Sequence, residues 1–155
     1  MINYLSLSTE NNQNGHANTI IVNLEKKTIE RFDPHGSIPN SFYDSVYIDS
    51  ILERKFKKIL PGYTYINLSN ICPLFGPQIK AAYHVGLCIT WVTMYALLRL
   101  LNYNMDAAKI IHTMLNGDKN ELLDITLRFR MYIFETIAKL DKTILEWLIY
   151  LKLFK

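Results

Sequence analysis

Three residue types that can act together in catalysis, a thiol, an imidazole and a carboxylate, occur at suggestive positions in this sequence. His16 opens a β-branched run, and Asp33 closes a second such run 17 residues later. Cys88 stands where a glycine-bearing loop enters a long apolar segment. A carboxylate beside an imidazole fixes its tautomer and favours its protonated form, and an imidazole can take the proton of a thiol. The three residues therefore predict a nucleophilic thiol with a base and an orienting acid.

A predicted hairpin would bring the imidazole and the carboxylate together. The runs 18–22 and 28–32 are rich in β-branched and aromatic residues, and the polar stretch 23–27 separates them, which indicates two antiparallel strands. If the chain reverses at Leu24–Glu25, the numbers of paired residues sum to 49, and His16 lies directly opposite Asp33. A shift of a single residue would separate the two side chains, because it moves one of them to the other face of the sheet.

The start of the apolar segment 87–101 is a favourable place for a reactive thiol. The segment is apolar nearly all round, which predicts a buried central helix. Cys88 at its N-terminus would feel the positive end of the helix dipole, which lowers a thiol pKa. Gln78, in the preceding Gly-Pro-Gln loop, could donate an amide N–H to a developing oxyanion. Each feature also has a plainer interpretation, because free cysteines are commonly small core residues and Asp33-Pro34-His35-Gly36 is a good turn sequence.

The elements that must position these residues predict an α+β fold. A helix capped by Asn40 or Ser41 should run to about Leu60, where Pro61-Gly62 ends it, and residues 63–68 have strand composition. After the central helix, two further helices are predicted, with N-caps at Asn104 or Asp106 and at Asp118 or Asn120. We therefore expect a small antiparallel or mixed sheet packed on a central buried helix, with extra C-terminal helices.

Length and composition favour one folded domain. The 155 residues are 50% hydrophobic and 20% charged, a composition that excludes a disordered chain. The length suits a single domain over 1–155. We expect its core to span about 15–103 and a helical extension to span about 104–155. The two cysteines cannot form a disulfide framework, which favours a reducing compartment. The net charge of +3 does not indicate nucleic acid binding. The basic cluster Arg54, Lys55, Lys57 and Lys58 is either a solvated helix face or a surface for an acidic partner.

Other segments and spacings argue against several classes of site. The polar N-terminus does not look like a secretory signal, and the longest apolar run, 87–98, is too short to cross a bilayer. We therefore expect an intracellular protein that is not secreted and has no membrane partner. The histidines and cysteines show no CxxC or HxxxH spacing, so neither a metal nor another cofactor is predicted.

Four short motifs, in this order, resemble the clan of cysteine peptidases that includes the adenovirus protease and the SUMO proteases. They are His16-Ala17-Asn18, the run Ile-Glu-Arg-Phe-Asp-Pro-His-Gly over 29–36, Gly76-Pro77-Gln78 and Gly86-Leu87-Cys88. They look especially like small proteins of large DNA viruses.

The resemblance implies the fold of that clan and a hydrolase, a thiol protease or ubiquitin-like deconjugase, located in the host cytoplasm or the virion. His16 would be the general base, Asp33 its orienting acid, Gln78 the oxyanion donor and Cys88 the nucleophile. The implied substrate is a protein, either a viral precursor or a ubiquitin-like conjugate.

The same motifs leave three alternatives open. In the clan the nucleophile usually comes directly before a glycine, whereas here Val85 precedes Gly86 and Cys88 follows it by two residues. If the glycines correspond, Val85 takes the nucleophile position, and the chain is an inactive relative that acts as a viral structural or interaction protein. A transferase could use the same residues with another acceptor. His35 or His84 could replace His16 as the base.

Overall fold

The computed structural model describes residues 2–7, 16–38, 44–82 and 87–140, with Glu146 in addition, and it has an α+β architecture. The strands are β1 (Ile2–Leu7), β2 (His16–Asn23), β3 (Thr28–Phe32) and β4 (Thr64–Ile66). The helices are α1 (Ser45–Ile59), α2 (Leu68–Ile71), α3 (Pro77–Ala82), α4 (Cys88–Leu101), α5 (Ala107–Met114) and α6 (Lys119–Leu140). The predicted fold class, a small mixed sheet on a central helix with further helices towards the C-terminus, is confirmed.

The four strands form one sheet in the order of the chain. β1 pairs with β2 and β2 with β3 in antiparallel orientation, whereas β4 lies parallel to β3. The sequence analysis placed no strand before His16. It missed β1 because Ile2–Leu7 is short and precedes a polar stretch rich in Asn.

The hairpin of β2 and β3 forms as predicted, but its register differs by two residues. Asn23 pairs with Thr28, so the numbers of paired residues sum to 51 instead of 49, and the reversal lies one residue later than predicted. Lys27 closes the connection with a left-handed φ of 50°. Because side chains alternate with a period of two, this difference leaves each side chain on its predicted face. His16 is therefore a diagonal neighbour of Asp33, still within reach for long side chains.

Helices cover both faces of the sheet, which explains why β2 and β3 are buried along almost their whole length. α4 packs on one face, where the rings of Phe32 and Tyr95 stack with their centroids 4.2 Å apart. The other face meets the segment from α1 to β4 in a second apolar cluster around Ile20, Val22 and Ile29. The central helix α4 is thus buried against the sheet, as the apolar segment predicted.

β3 places one buried charge on each face, and each is neutralised by the covering helix. Glu30 accepts hydrogen bonds from Arg99 Nε at 2.6 Å and from the Tyr95 hydroxyl at 2.8 Å, both on α4. On the opposite face, Arg31 Nε donates to Asp49 Oδ1 of α1 at 2.8 Å. Because removing one partner of a buried ion pair costs about 3–5 kcal/mol, these contacts fix the positions of both helices on the sheet.

The helix boundaries follow local capping chemistry. The N-cap of α1 is Asp44, whose carboxylate accepts hydrogen bonds from the backbone N–H groups of Val46 and Tyr47. The predicted caps Asn40 and Ser41 lie outside the described residues. Asp106 caps α5 as predicted, and the side chain of Asp118 accepts from the first backbone N–H groups of α6. None of the helices in the described ranges has both the length and the apolar character to cross a membrane.

The turn after β3 and the start of α3 meet backbone against backbone at two glycines. Gly36 has a φ of 96°, and a Cβ on it would lie 2.5 Å from the backbone nitrogen of Gly76. A Cβ on Gly76 would lie 2.4 Å from the carbonyl oxygen of Pro34. The Gly76 N–H donates to the His35 carbonyl at 2.7 Å, and the Gln78 N–H donates to the Pro34 carbonyl at 2.9 Å. Two segments predicted as separate loops are therefore held together as one joint.

Candidate functional site

The predicted contact between His16 and Asp33 is present at the start of β2 and the end of β3. His16 Nε2 lies 2.8 Å from Asp33 Oδ1. The carboxylate is fully buried, whereas 11% of the His16 side chain is exposed. Asp33 Oδ1 also accepts the backbone N–H of His35 at 2.8 Å, which fixes the carboxylate in the turn. The carboxylate can therefore hold the imidazole in a single orientation.

Arg31 supports this carboxylate from behind, and sequence reasoning missed it. Its Nη1 lies 3.6 Å from Asp33 Oδ2 and donates to Asn18 Oδ1 at 2.6 Å, while Nη2 donates to the Ser45 carbonyl at 2.9 Å. The guanidinium is fully buried, and a buried charge needs such partners. The signal in the sequence was a strand arginine between Glu30 and Phe32 in a run otherwise suited to burial.

Cys88 completes the cluster from the first turn of α4. Burial opposes the charged thiolate, but hydrogen bonds from the His16 side chain and the Ala17 backbone N–H outweigh it, so the pKa of the Cys88 thiol is lowered. The backbone N–H of Ile89, in the same helical turn, contributes in the same direction. The structure thus brings together the three residues that the sequence predicted would meet.

The imidazole of His16 is held in its protonated form. Burial lowers its affinity for a proton, but hydrogen bonds to Asp33 and to Cys88 more than compensate and raise its pKa to about 9. At neutral pH His16 is therefore an imidazolium, and it favours the thiolate form of the neighbouring Cys88. A thiolate is the nucleophilic form of cysteine and can attack an electrophilic carbon or a disulfide sulfur.

His35 lies against His16 and remains neutral. The two rings stack with centroids 4.0 Å apart and planes inclined by 21°. Burial and the neighbouring charge of His16 lower the pKa of His35 to about 4. The structure therefore places His16, not His35, against Cys88; the other predicted alternative, His84, lies outside the described residues.

The two imidazoles and the carboxylate of Asp33 also form a group that could be considered for a metal. Their nearest ligand atoms all lie within 4.8 Å of one another. Imidazole lone pairs lie in the ring plane, so two stacked rings cannot direct nitrogens at one ion at the ~2.0–2.1 Å that zinc requires. The arrangement fits the protonated His16 better than a metal centre.

Gln78 is the second residue of α3 and is buried, with 4% of its surface exposed. Its side-chain oxygen has no hydrogen-bond partner within the part of the chain that the structure describes. That its amide serves an oxyanion stays a prediction. Val85 and Gly86, on which the alternative alignment depends, lie outside the described residues.

The comparisons with known proteins give one match and two negative results. No known protein family and no solved structure matches the chain. A protein of Acanthamoeba polyphaga mimivirus, described as "Putative ankyrin repeat protein", is 32% identical over 120 residues. The match covers 65% of this chain but only 16% of the viral protein.

This relative overturns the assignment to the peptidase clan. The prediction of an enzyme, a cysteine peptidase or ubiquitin-like deconjugase, is wrong by this comparison, and so are the descriptions hydrolase and thiol protease, because the relative is named for ankyrin repeats and not for a hydrolase. An ankyrin repeat is a unit of about 33 residues with a turn and two helices. The four-stranded sheet described above is not such a unit, so we transfer no repeat architecture to this chain.

Proposed function

We propose that the chain is a protein-interaction domain that binds an acidic segment of a partner protein through α1. This is the alternative to hydrolysis that the sequence left open. The observation that carries it is the basic surface of α1, formed by Arg54, Lys55, Lys57 and Lys58, all of them exposed. The likeness to a viral protein named for ankyrin repeats supports a binding role, because repeat proteins of this kind use extended surfaces to bind partners.

The basic residues of α1 share one shallow depression of the surface. These four cations, with the partly buried Ile51, line a shallow cavity of about 510 Å³. Lys55 and Lys58 offer ammonium groups on long stems, which combine charge with apolar contact. A site of this kind suits a segment that carries carboxylates beside apolar side chains.

The charge of α1 is not compensated locally. Among the described residues, no carboxylate forms an ion pair with any of the four cations. Glu53 lines a different cavity, with Ser50 and Asn67. Within α1, these four cations outnumber the two acidic residues, Asp49 and Glu53, so the helix can attract an acidic partner.

A protein partner fits this surface better than a nucleic acid. Nucleic acid sites usually track a phosphate backbone with many cations and stack bases on aromatic side chains. The cavity on α1 has four cations and one aliphatic residue, and no aromatic side chain lines it within the described chain. That the sheet and central helix have the specific fold of the peptidase clan stays a prediction and plays no part in this proposal.

The test is a titration with defined probes at two salt concentrations. A fluorescent peptide rich in Glu and Leu should bind, and the same peptide with Gln for Glu should bind at least about tenfold more weakly. Replacing Arg54, Lys55, Lys57 and Lys58 with Gln should weaken binding by about 10–100-fold, since exposed charges contribute about 0.2–1 kcal/mol each. Raising the salt concentration should reduce the difference.

A matched variant removes four exposed charges elsewhere. Lys80, Lys109, Lys119 and Lys139 are exposed and lie on α3, α5 and α6, and their replacement with Gln should leave peptide affinity unchanged. Equal weakening by both sets of substitutions would reduce the effect to net charge and overturn the proposal. Tighter binding of a single-stranded or duplex oligonucleotide of the same charge would also overturn it.

A further inference from the structure

We propose that the acidic segment bound by α1 also carries an apolar side chain, at a fixed distance from its carboxylates, and that this side chain packs on Tyr47. The inference deepens the proposed function and rests on it, because it names the partner chemistry that the same helix selects. It is carried by the side chains that are exposed in the first turn of α1, ahead of the basic surface.

Two large apolar side chains are exposed next to each other in this first turn. Val46 is 65% exposed and Tyr47 is 61% exposed. The helix does not favour them there, because β-branched and aromatic residues are poorer helix formers than Ala. The cap does not need them either, since Asp44 bonds only to their backbone N–H groups. Exposed apolar residues that adjoin polar surface are typical of interaction sites.

Tyr47 lies on the same face of α1 as the basic surface. Ile51, Arg54 and Lys58 follow it at intervals of four, three and four residues, which keeps all four residues on one side of the helix. The opposite side of α1 packs against the second apolar cluster under the sheet. One exposed stripe therefore runs along the helix from an aromatic ring to the cations.

Charge is divided between the two halves of α1. Its acidic residues, Asp49 and Glu53, both precede its four cations. Asp49 is neutralised by Arg31, whereas Glu53 is exposed and forms no ion pair among the described residues. Glu53 lines a cavity of about 180 Å³ together with Val46, so it would repel a carboxylate placed there. The first half of the helix therefore suits an uncharged side chain of the partner.

A tyrosine ring is well suited to hold that uncharged side chain. It offers a large apolar surface at a low cost in conformational entropy, and its hydroxyl can remain in contact with water. Tyrosine is accordingly enriched among the residues that contribute most to binding at protein interfaces. A leucine packed on the ring of Tyr47 would add apolar contact to the attraction between charges, which by itself is weak at an exposed surface.

The helix determines the spacing that the partner needs. Tyr47 precedes Arg54 by seven residues and Lys58 by eleven, which corresponds to about 10 Å and about 16 Å along the helix axis. An extended peptide rises about 3.3 Å per residue, so its apolar residue should stand about three to five residues from its carboxylates. Because an extended peptide can lie along α1 in either direction, the surface selects this spacing and not the order.

The test uses three fluorescent peptides that each contain four glutamates. The first has a leucine three residues before a run of the four glutamates, and the second has serine in place of that leucine. The third has the leucine between the second and third glutamates, which is too close for the ring. The first peptide should bind about 3–10-fold more tightly than the second, because part of the leucine surface leaves water.

Variants of one residue identify the ring as the cause. Tyr47→Ser should weaken binding of the first peptide by about 3–10-fold and change the other two by less than about twofold. Tyr47→Phe should retain the preference for the first peptide, because the ring remains. Tyr132→Ser is the matched control, since Tyr132 is also 61% exposed but lies on α6, and it should leave all three affinities unchanged.

The outcomes distinguish this inference from the proposed function. Failure of all three peptides to bind, or binding that does not weaken with added salt, would overturn the acidic docking and this inference with it. Salt-dependent binding without a preference for the first peptide over the second would overturn this inference alone. So would an equal loss for all three peptides in Tyr47→Ser, or an equal effect of Tyr132→Ser.

Discussion

The two cysteines of this chain lie near the same carboxylate yet have opposite properties. Cys72 follows α2 and accepts the backbone N–H of Asp33, but burial dominates and raises the pKa of its thiol to about 12. Cys88 begins α4, and the pKa of its thiol is lowered by His16 and two backbone N–H groups despite burial. Both residues are buried and neither is in a disulfide.

The difference shows what determines the state of a buried thiol. A single N–H donor does not outweigh desolvation at Cys72, whereas a cation with further donors does at Cys88. The cation is in turn maintained by Asp33, the same residue that stands near Cys72. The buried carboxylate of Asp33 thus favours a thiolate at Cys88 only indirectly, through the imidazole of His16. At Cys72 the same carboxylate disfavours the negative charge of a thiolate.

The largest effect should follow removal of the guanidinium behind this carboxylate. Arg31→Met leaves Asp33 and Asp49 buried without their cation, and we expect unfolding free energy to fall by about 3–5 kcal/mol. Urea denaturation measures it. Arg128→Met, at an exposed position on α6, should change stability by less than about 0.5 kcal/mol. Equal losses in the two variants would show that Arg31 does not support the site.

A second effect tests whether His35, stacked on His16, is held neutral in the folded protein. His35 has a pKa of about 4 because of burial and that charge, against an ordinary value of 6.5. Between these values the folded state binds fewer protons than the unfolded state, so stability is complete above pH 6.5 and is lost as the pH falls towards 4. The loss amounts to about 3 kcal/mol.

The measurement for His35 is urea denaturation at closely spaced pH values between 7 and 5, before most carboxylates titrate. His35→Gln should show a shallower decline than the wild type. Parallel declines in the two proteins would mean that the pKa of His35 is not lowered in the folded state.

Alkylation compares the two thiols directly. At pH 7, iodoacetamide should modify Cys88 about 100-fold faster than Cys72, because the thiol pKa is lowered at Cys88 and raised to about 12 at Cys72. Asp33→Asn should reduce this ratio by about tenfold, since an amide holds the protonated imidazole less well. Peptide mapping gives both rates in one experiment. A ratio near one in the folded wild type would remove the distinction.

The smallest expected effect is the change in folding stability when each cysteine is replaced with serine. Cys72→Ser places a hydroxyl in the apolar cluster and should cost about 1–3 kcal/mol. Cys88→Ser keeps the donors of His16 and Ala17 in use and should cost less than about 1 kcal/mol. Thermal denaturation of the two variants decides the order, and a larger loss for Cys88→Ser would contradict it.

The sequence predicted the parts of the site that depend on local pattern. The β2–β3 hairpin follows from strand composition, and α4 follows from its continuous apolar run. The contact of His16 with Asp33 was predicted from a register that is wrong by two residues, and it survived because that difference preserves the face of each strand. A one-residue difference would have destroyed it.

The rest depends on contacts between distant segments. Arg31 is near Asp33 in the chain, but its role is set by Asp49 and Ser45 of α1. β1 and the short helices α2 and α3 carry too few residues for a clear periodicity. The division into a core of 15–103 and a C-terminal extension stays a prediction. The assignment as a peptidase, which was inferred from the order of the motifs, was contradicted by the comparison with the viral relative.

The joint between Gly36 and Gly76 has a consequence for the mutational tolerance of the whole chain. In a library of random variants selected only for folding, both positions should be recovered as glycine, because a methyl group at either would collide with backbone that cannot move aside. Surface positions such as Lys55 should accept nearly any residue in the same library. Two of the smallest residues would then be among the most informative letters for recognising this architecture in other sequences.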